Sequence, residues 1–187
     1  LKRRAAGWDE WSCSAAVGVG PLRFGMTVEE VAEAAGMFGQ TEVGDCARDC
    51  AIFSLTWKVE VHRRRGREAA SPPAVTAYVS RAVGLFCVAA DAVKGPQVAF
   101  DGLPLVGRDL SERESDAIAC AEAMDVHLRC TPEGYAGPDD PGVVMRGQPV
   151  GRVLRSRPLF MVTRDGANTE GDSMPSEEYG VIGQSTA

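Results

Sequence analysis

Thiols and imidazoles are the residues whose types and spacing could do chemistry here. Cys46-x-x-x-Cys50 is the closest cysteine pair. Two thiolates at this spacing could share a zinc ion if two more ligands came from elsewhere in the chain. The histidines are His62 and His127, so the set the chemistry allows is Cys46, Cys50, His62 and Cys130. No second closely spaced pair accompanies the first, and zinc sites usually show two. Loop thiols, or one local disulfide, is therefore the preferred reading, and neither a metal nor a cofactor is expected. A nucleophilic mechanism would need a Ser or Cys with a His base held by a third group. His62 lies beside an arginine run, and His127 alternates with Val126 and Leu128 as if facing out of a short strand. The sequence has no Gly-x-Ser-x-Gly, no His-Glu-x-x-His and no Walker loop. Catalytic residues are accordingly expected to be none.

Charged groups offer surfaces sooner than reactions. Glu29-Glu30 and Glu112/Glu114 fall in first helical turns, where carboxylates complement the helix dipole. Arg63, Arg64, Arg65 and Arg67 form the densest charge cluster. They read either as an anion-docking loop for nucleic acid or an acidic partner or, with more weight, as a solvated hairpin connection. Tyr135, Asp139 and Asp140 sit in a Pro/Gly-rich stretch, 132–142, which reads as an exposed loop. If the chain binds a protein, loops 62–73 and 132–142 are the expected contacts.

The elements that must carry these residues follow from local patterns. Trp8 and Trp11 suggest one face of a short helix in an otherwise polar lead-in, 1–16. Thr27-Val28-Glu29-Glu30 is a capping box, with Met26 and Val31 placed as a hydrophobic staple. It predicts a helix that buries Val28, Val31, Ala32 and Ala35 and stops at Gly36. A polar loop is expected over 39–50. Strands are predicted at 52–61, 75–80 and 84–90, the last nearly all apolar and so central, with a fourth at 97–100. Short links between them imply an antiparallel meander. Ser111-Glu112-Arg113-Glu114 caps a second helix running to about Met124, with Ala117, Ile118, Ala121 and Met124 on its stripe. Extended sequence returns at 126–130, 143–145 and 150–163, with Pro158 marking an edge or a break. The fold class read from this is α+β: a mainly antiparallel sheet with two capped helices packed on it. The domain would span 17–164, followed by an acidic, flexible tail over 165–187. Pro21-Leu22-Arg23-Phe24-Gly25 before the first helix and Pro104-Leu105-Val106-Gly107 before the second form a faint internal echo.

The stretch Gly20-Pro21-Leu22-Arg23-Phe24-Gly25-Met26-Thr27-Val28-Glu29-Glu30-Val31, together with Phe100-Asp101-Gly102-Leu103-Pro104-Leu105-Val106-Gly107-Arg108, resembles a pattern in small α+β proteins of high-GC Gram-positive bacteria. Several of those are suspected of being immunity proteins of secreted-toxin systems. The Gly-Met-Thr-x-Glu-Glu-Val opening is also similar to that of outer-membrane assembly lipoproteins of the BamE/SmpA type. The first resemblance implies a protein partner, a toxin domain that the chain would cover. The second implies a structural module of an envelope assembly.

Composition bounds these readings. The chain has 187 residues, 44% of them hydrophobic and 25% charged, enough to build a core without cross-links. Its formal charge of −6 argues against nucleic acid as a partner. No apolar run is long enough to span a membrane, and no apolar signal core follows Leu1-Lys2-Arg3-Arg4. Cys87 lies in an apolar run and Cys120 on a helix face, so mostly reduced thiols and a cytoplasmic location are expected. The expectation is a non-enzymatic protein-binding domain, an immunity protein in the sharpest form. The alternatives are an enzyme or metal-binding protein with a Cys/His-lined site, or a structural module. Nothing in the sequence sets the oligomeric state.

Overall fold

The computed structural model describes residues 10–14, 16–45, 56–63, 72–109, 113–125, 127–130, 136–138 and 142–162. The meander is present. β4 (Gly39–Asp45), β5 (Thr56–Arg63), β6 (Val75–Ser80) and β7 (Gly84–Ala90) pair antiparallel in sequence order. β13 (Val153–Met161) then pairs with β7, and β12 (Val143–Val150) pairs with β13, giving a six-stranded sheet. β6 is buried along its whole length, and β7 everywhere beyond Gly84, which is why their sequences lack polar alternation. Val75, Ala77, Val79, Leu85, Val88 and Ala90 enter the main core. Tyr78, Phe86, Cys87 and Ala89 join Val144, Leu159 and Met161 in a second cluster. A bulge after Tyr78, where Val79 pairs with Leu85, lets both Phe86 and Cys87 join that cluster.

Helix α1 (Val28–Gly36) is built as its sequence predicts. The Glu30 amide donates to Thr27 Oγ1 at 3.3 Å, and the Thr27 amide donates to Glu30 Oε2 at 2.9 Å. Val31 and Ala35 are fully buried, and Met26, Val28 and Ala32 pack beside them. The helix ends at Gly36, although the cap residue Met37 keeps right-handed geometry. Thr27→Ala should cost about 1 kcal/mol of stability and Thr27→Ser close to none, because only the hydroxyl acceptor is at stake. Urea denaturation measures this, and equal midpoints for both variants would refute it.

Several expectations need correction. Residues 10–14 are not a frayed or helical lead-in. Glu10–Ser14 is strand β1, with Trp11 95% buried and set edge-on to Phe38 at 5.6 Å between ring centroids. Gly20 (φ 56°) lies so close under the Trp11 ring that a Cβ there would overlap it. The 39–45 part of the supposed loop is the edge strand β4. The strand expected at 97–100, β8 (Gln97–Phe100), is not the fourth of the meander. It pairs parallel with β1 in a second sheet of order β3-β2-β1-β8-β9, with β2 (Gly18–Val19), β3 (Leu22–Arg23) and β9 (Leu103–Pro104). The chain leaves the main sheet at Asp91, whose Oδ1 accepts the Val93 and Lys94 amides. Gln148 on β12 pins this turn, accepting from the Ala92 amide and donating to Asp91 Oδ2.

The 143–163 region is one hairpin, β12–β13, and it runs through Pro158. The proline is tolerated because pairing with β7 begins only at Leu159. Helix α2 (Arg113–Met124) lies against the short strands β10 (Leu128–Cys130) and β11 (Ala136–Pro138), so part of the expected 132–142 loop is a strand. Ala117 and Ala121 are buried, whereas Ile118 is 42% exposed and off the stripe. The second capping box lies outside the described residues. Among the described residues no helix is long and apolar enough to cross a membrane.

The internal echo has a structural counterpart. The Gly25 amide donates to the Leu85 carbonyl, and the Leu85 amide donates to Met26. In the same pattern Gly107 donates to Ser156, and Ser156 donates to Arg108. Both glycines have positive φ, 89° and 74°. Each segment leads into a helix and then four strands, α1-β4-β5-β6-β7 and α2-β10-β11-β12-β13. The last strands of the two sets pair antiparallel, Val88 with Phe160 and Ala89 with Leu159. If Leu85 is set equivalent to Ser156, Val88 falls on Leu159 and Ala89 on Phe160. That pairing then maps onto itself about an approximate two-fold axis.

Candidate functional site

The first turn of α1, the exposed part of β4–β5 and the β6–β7 turn enclose a cavity of about 740 Å³. Helix capping fixes one wall, placing Thr27, Val28 and Glu29 along it. Strand alternation fixes the second. Val43 and Trp57 project from the same sheet face as the fully buried Val59 and Val61, Val43 from the edge strand opposite Val59 and Trp57 two residues before Val59. The β6–β7 turn makes the third wall with Ser80, Arg81, Ala82, Val83 and Gly84. Ser80 is buried and its Oγ accepts the Val83 amide at 3.1 Å, which folds that turn over.

Val79 is almost fully buried, whereas Val43 and Val83 are 52% and 41% exposed. The apolar surface therefore runs from inside the cavity out to solvent. Glu29 and Arg81 add one charge of each sign to the lining. Among the described lining residues there is no imidazole or thiol; what they offer is apolar enclosure with polar orientation.

Protein-family models, curated proteins and solved structures give no match to this chain.

Of the residues singled out from sequence, the described ones fall elsewhere. Arg63 closes β5, and its Nη2 donates to the Gly95 carbonyl at 3.4 Å, bracing the turn that follows β7. Arg64, Arg65, Arg67, Tyr135, Asp139, Asp140, Cys46 and Cys50 lie outside the described residues. Cys130 ends β10, beside β11, while His62 is on β5 of the six-stranded sheet. His62 instead shares its sheet face with Glu60 and Glu42. Trp57 shares the apolar face of Val59 and Val61 but is a half-buried cavity wall. Sequence reasoning missed the cavity because its third wall, Arg81-Ala82-Val83-Gly84, shows only as a turn. What that turn faces depends on the tertiary path of Gly25 to Glu29.

Proposed function

We propose that the chain is a protein-binding domain that seats an apolar side chain of its partner in the cavity between α1 and the β6–β7 turn. The carrying observation is the pair of exposed valines, Val43 and Val83, at the mouth of a pocket that also holds the buried Val79. Interfaces concentrate their energy where an anchor side chain enters such a pocket and loses its water. Glu29 and Arg81 beside the opening would orient the partner by charge. The resemblance of the Gly20–Val31 and Phe100–Arg108 stretches supports a sharper form, an immunity protein that neutralises a toxin domain. Inhibition of that kind needs a complementary surface and no reactive group.

The test is to capture partners from the native cell with the wild-type chain and with a Val43→Asp/Val83→Asp double variant, and to co-express the product of any adjacent toxin-like gene. The reading expects one protein retained by the wild type and lost on the variant. It also expects growth protection that depends on the same two valines. Both valines are outside the core, 52% and 41% exposed, so the variant should keep its fold. Equal retention by both proteins would remove the pocket from the reading. No toxin-like neighbour and no retained protein would remove the reading itself.

A further inference from the structure

The register of β4 and β5 places Glu42 directly opposite Glu60. Both side chains, with His62 two residues on, lie on the sheet face that does not carry Val59 and Val61. Like charges directly opposite each other in a sheet are destabilising unless something compensates them. Lys58 compensates in part, with its Nζ 2.9 Å from Glu60 Oε1. The other Glu60 oxygen, Oε2, is 3.7 Å from His62 Nε2, too far for a hydrogen bond. That imidazole nitrogen is buried and has no hydrogen-bond partner. One ligand atom from each of Glu42, Glu60 and His62 lies within 4.8 Å of the other two.

A buried, unsatisfied imidazole nitrogen beside the Glu60 carboxylate, in a cluster that also holds Glu42, is an arrangement that a cation completes. We propose that Glu42, Glu60 and His62 form a site for one divalent transition-metal ion, of the zinc or cobalt class. Imidazole with two carboxylates favours a borderline first-row ion over calcium or magnesium, which prefer all-oxygen sites. Metal–ligand bonds of about 2.0–2.2 Å would draw the three atoms somewhat closer together. The side chains can follow, since Glu60 and His62 each keep 25% of their surface in solvent. Three protein ligands leave one tetrahedral position to water. Lys58 is a competitor, because it holds one oxygen of Glu60 with a positive charge. The site faces away from the cavity wall formed by Val43 and Trp57, so it does not rest on the protein-binding reading.

The test is a Co²⁺ titration of the full chain, followed by visible ligand-field absorption. Cobalt is chosen because thiolate ligation adds a separate charge-transfer band, which tells this site from one built on the cysteines. The expected result is saturation at one ion per chain. Affinity should fall at least ~tenfold in His62→Gln and in Glu42→Gln, since losing even an outer-shell partner of a metal ligand costs that much. Both positions are partly or fully exposed, and an unchanged urea midpoint of the metal-free variants would show that they fold. No saturable absorption, or a spectrum that His62→Gln leaves unchanged, would overturn the proposal.

Discussion

Replacing Gly84 by alanine is expected to destabilise the chain by about 4 kcal/mol, against about 1–2 kcal/mol for the same change at Gly102. The two glycines share their backbone conformation, with φ of 71° and 82°. A left-handed residue with a side chain costs a similar amount at either place. They differ in surroundings. A Cβ on Gly102 meets nothing within contact distance, whereas one on Gly84 runs into the backbone of Gly25 and the Met26 carbonyl. Those atoms belong to the segment held to β7 by the Gly25–Leu85 and Leu85–Met26 hydrogen bonds. Relieving the collision must stretch or break that pair, and an unsatisfied buried backbone group costs about 1–3 kcal/mol. Urea denaturation of both variants measures the difference. Equal losses would mean that the segment gives way freely and that backbone strain is the whole effect. The consequence reaches the proposed binding site, because Gly25, Thr27 and Gly84 all line the cavity. A segment pushed off β7 would reshape it.

How much of this was legible beforehand depends on how local the determining interaction is. The capping box at Thr27 and Glu30 involves residues three apart, and it stands as the sequence predicts. β6, β7 and β8 are bracketed by turn residues, and their limits coincide with the expected strands. β4 was hidden because Gly39-Gln40-Thr41-Glu42-Val43-Gly44-Asp45 is an edge strand with one solvated face and little apolar signal. It is held by its pairing with β5, which no local pattern announces. β1 departs from its local pattern for a related reason. Trp8 and Trp11 have helical spacing, but Trp11 and Cys13 alternate inward once β8 offers a parallel partner far along the chain. The Glu42–Glu60–His62 cluster has the same origin. Glu60 and His62 are visible on one strand face, yet the residue opposite Glu60 follows only from the register of a pairing across the 46–55 segment. The cavity needs three elements at once, so no stretch of sequence encodes it by itself.

Ser156→Ala is expected to cost about 3 kcal/mol, and Ser80→Ala about 1 kcal/mol, although both serines are buried polar residues of the same sheet. Ser156 is completely enclosed. Its hydroxyl donates to the Leu105 carbonyl at 2.7 Å and accepts the Arg108 amide at 2.8 Å, while its own backbone exchanges two further bonds with Gly107 and Arg108. The segment it secures occupies the place in the second half that Gly25 and Met26 occupy in the first. There, however, Leu85 uses backbone bonds alone. The extra side-chain bonds are needed because the Leu105 carbonyl is bonded to Ser156 deep in the interior, beside a Leu105 that is itself fully buried. Alanine would remove the partner of the buried Leu105 carbonyl and of the part-buried Arg108 amide together. Ser80 serves a single amide, that of Val83, in a turn largely open to solvent, where water can replace the lost oxygen. Denaturation midpoints of the two variants decide the matter. If Ser156→Ala proves no worse than Ser80→Ala, the hydroxyl is not what ties the Leu105–Arg108 segment to β13, and the parallel between the two halves would rest on backbone pairing alone.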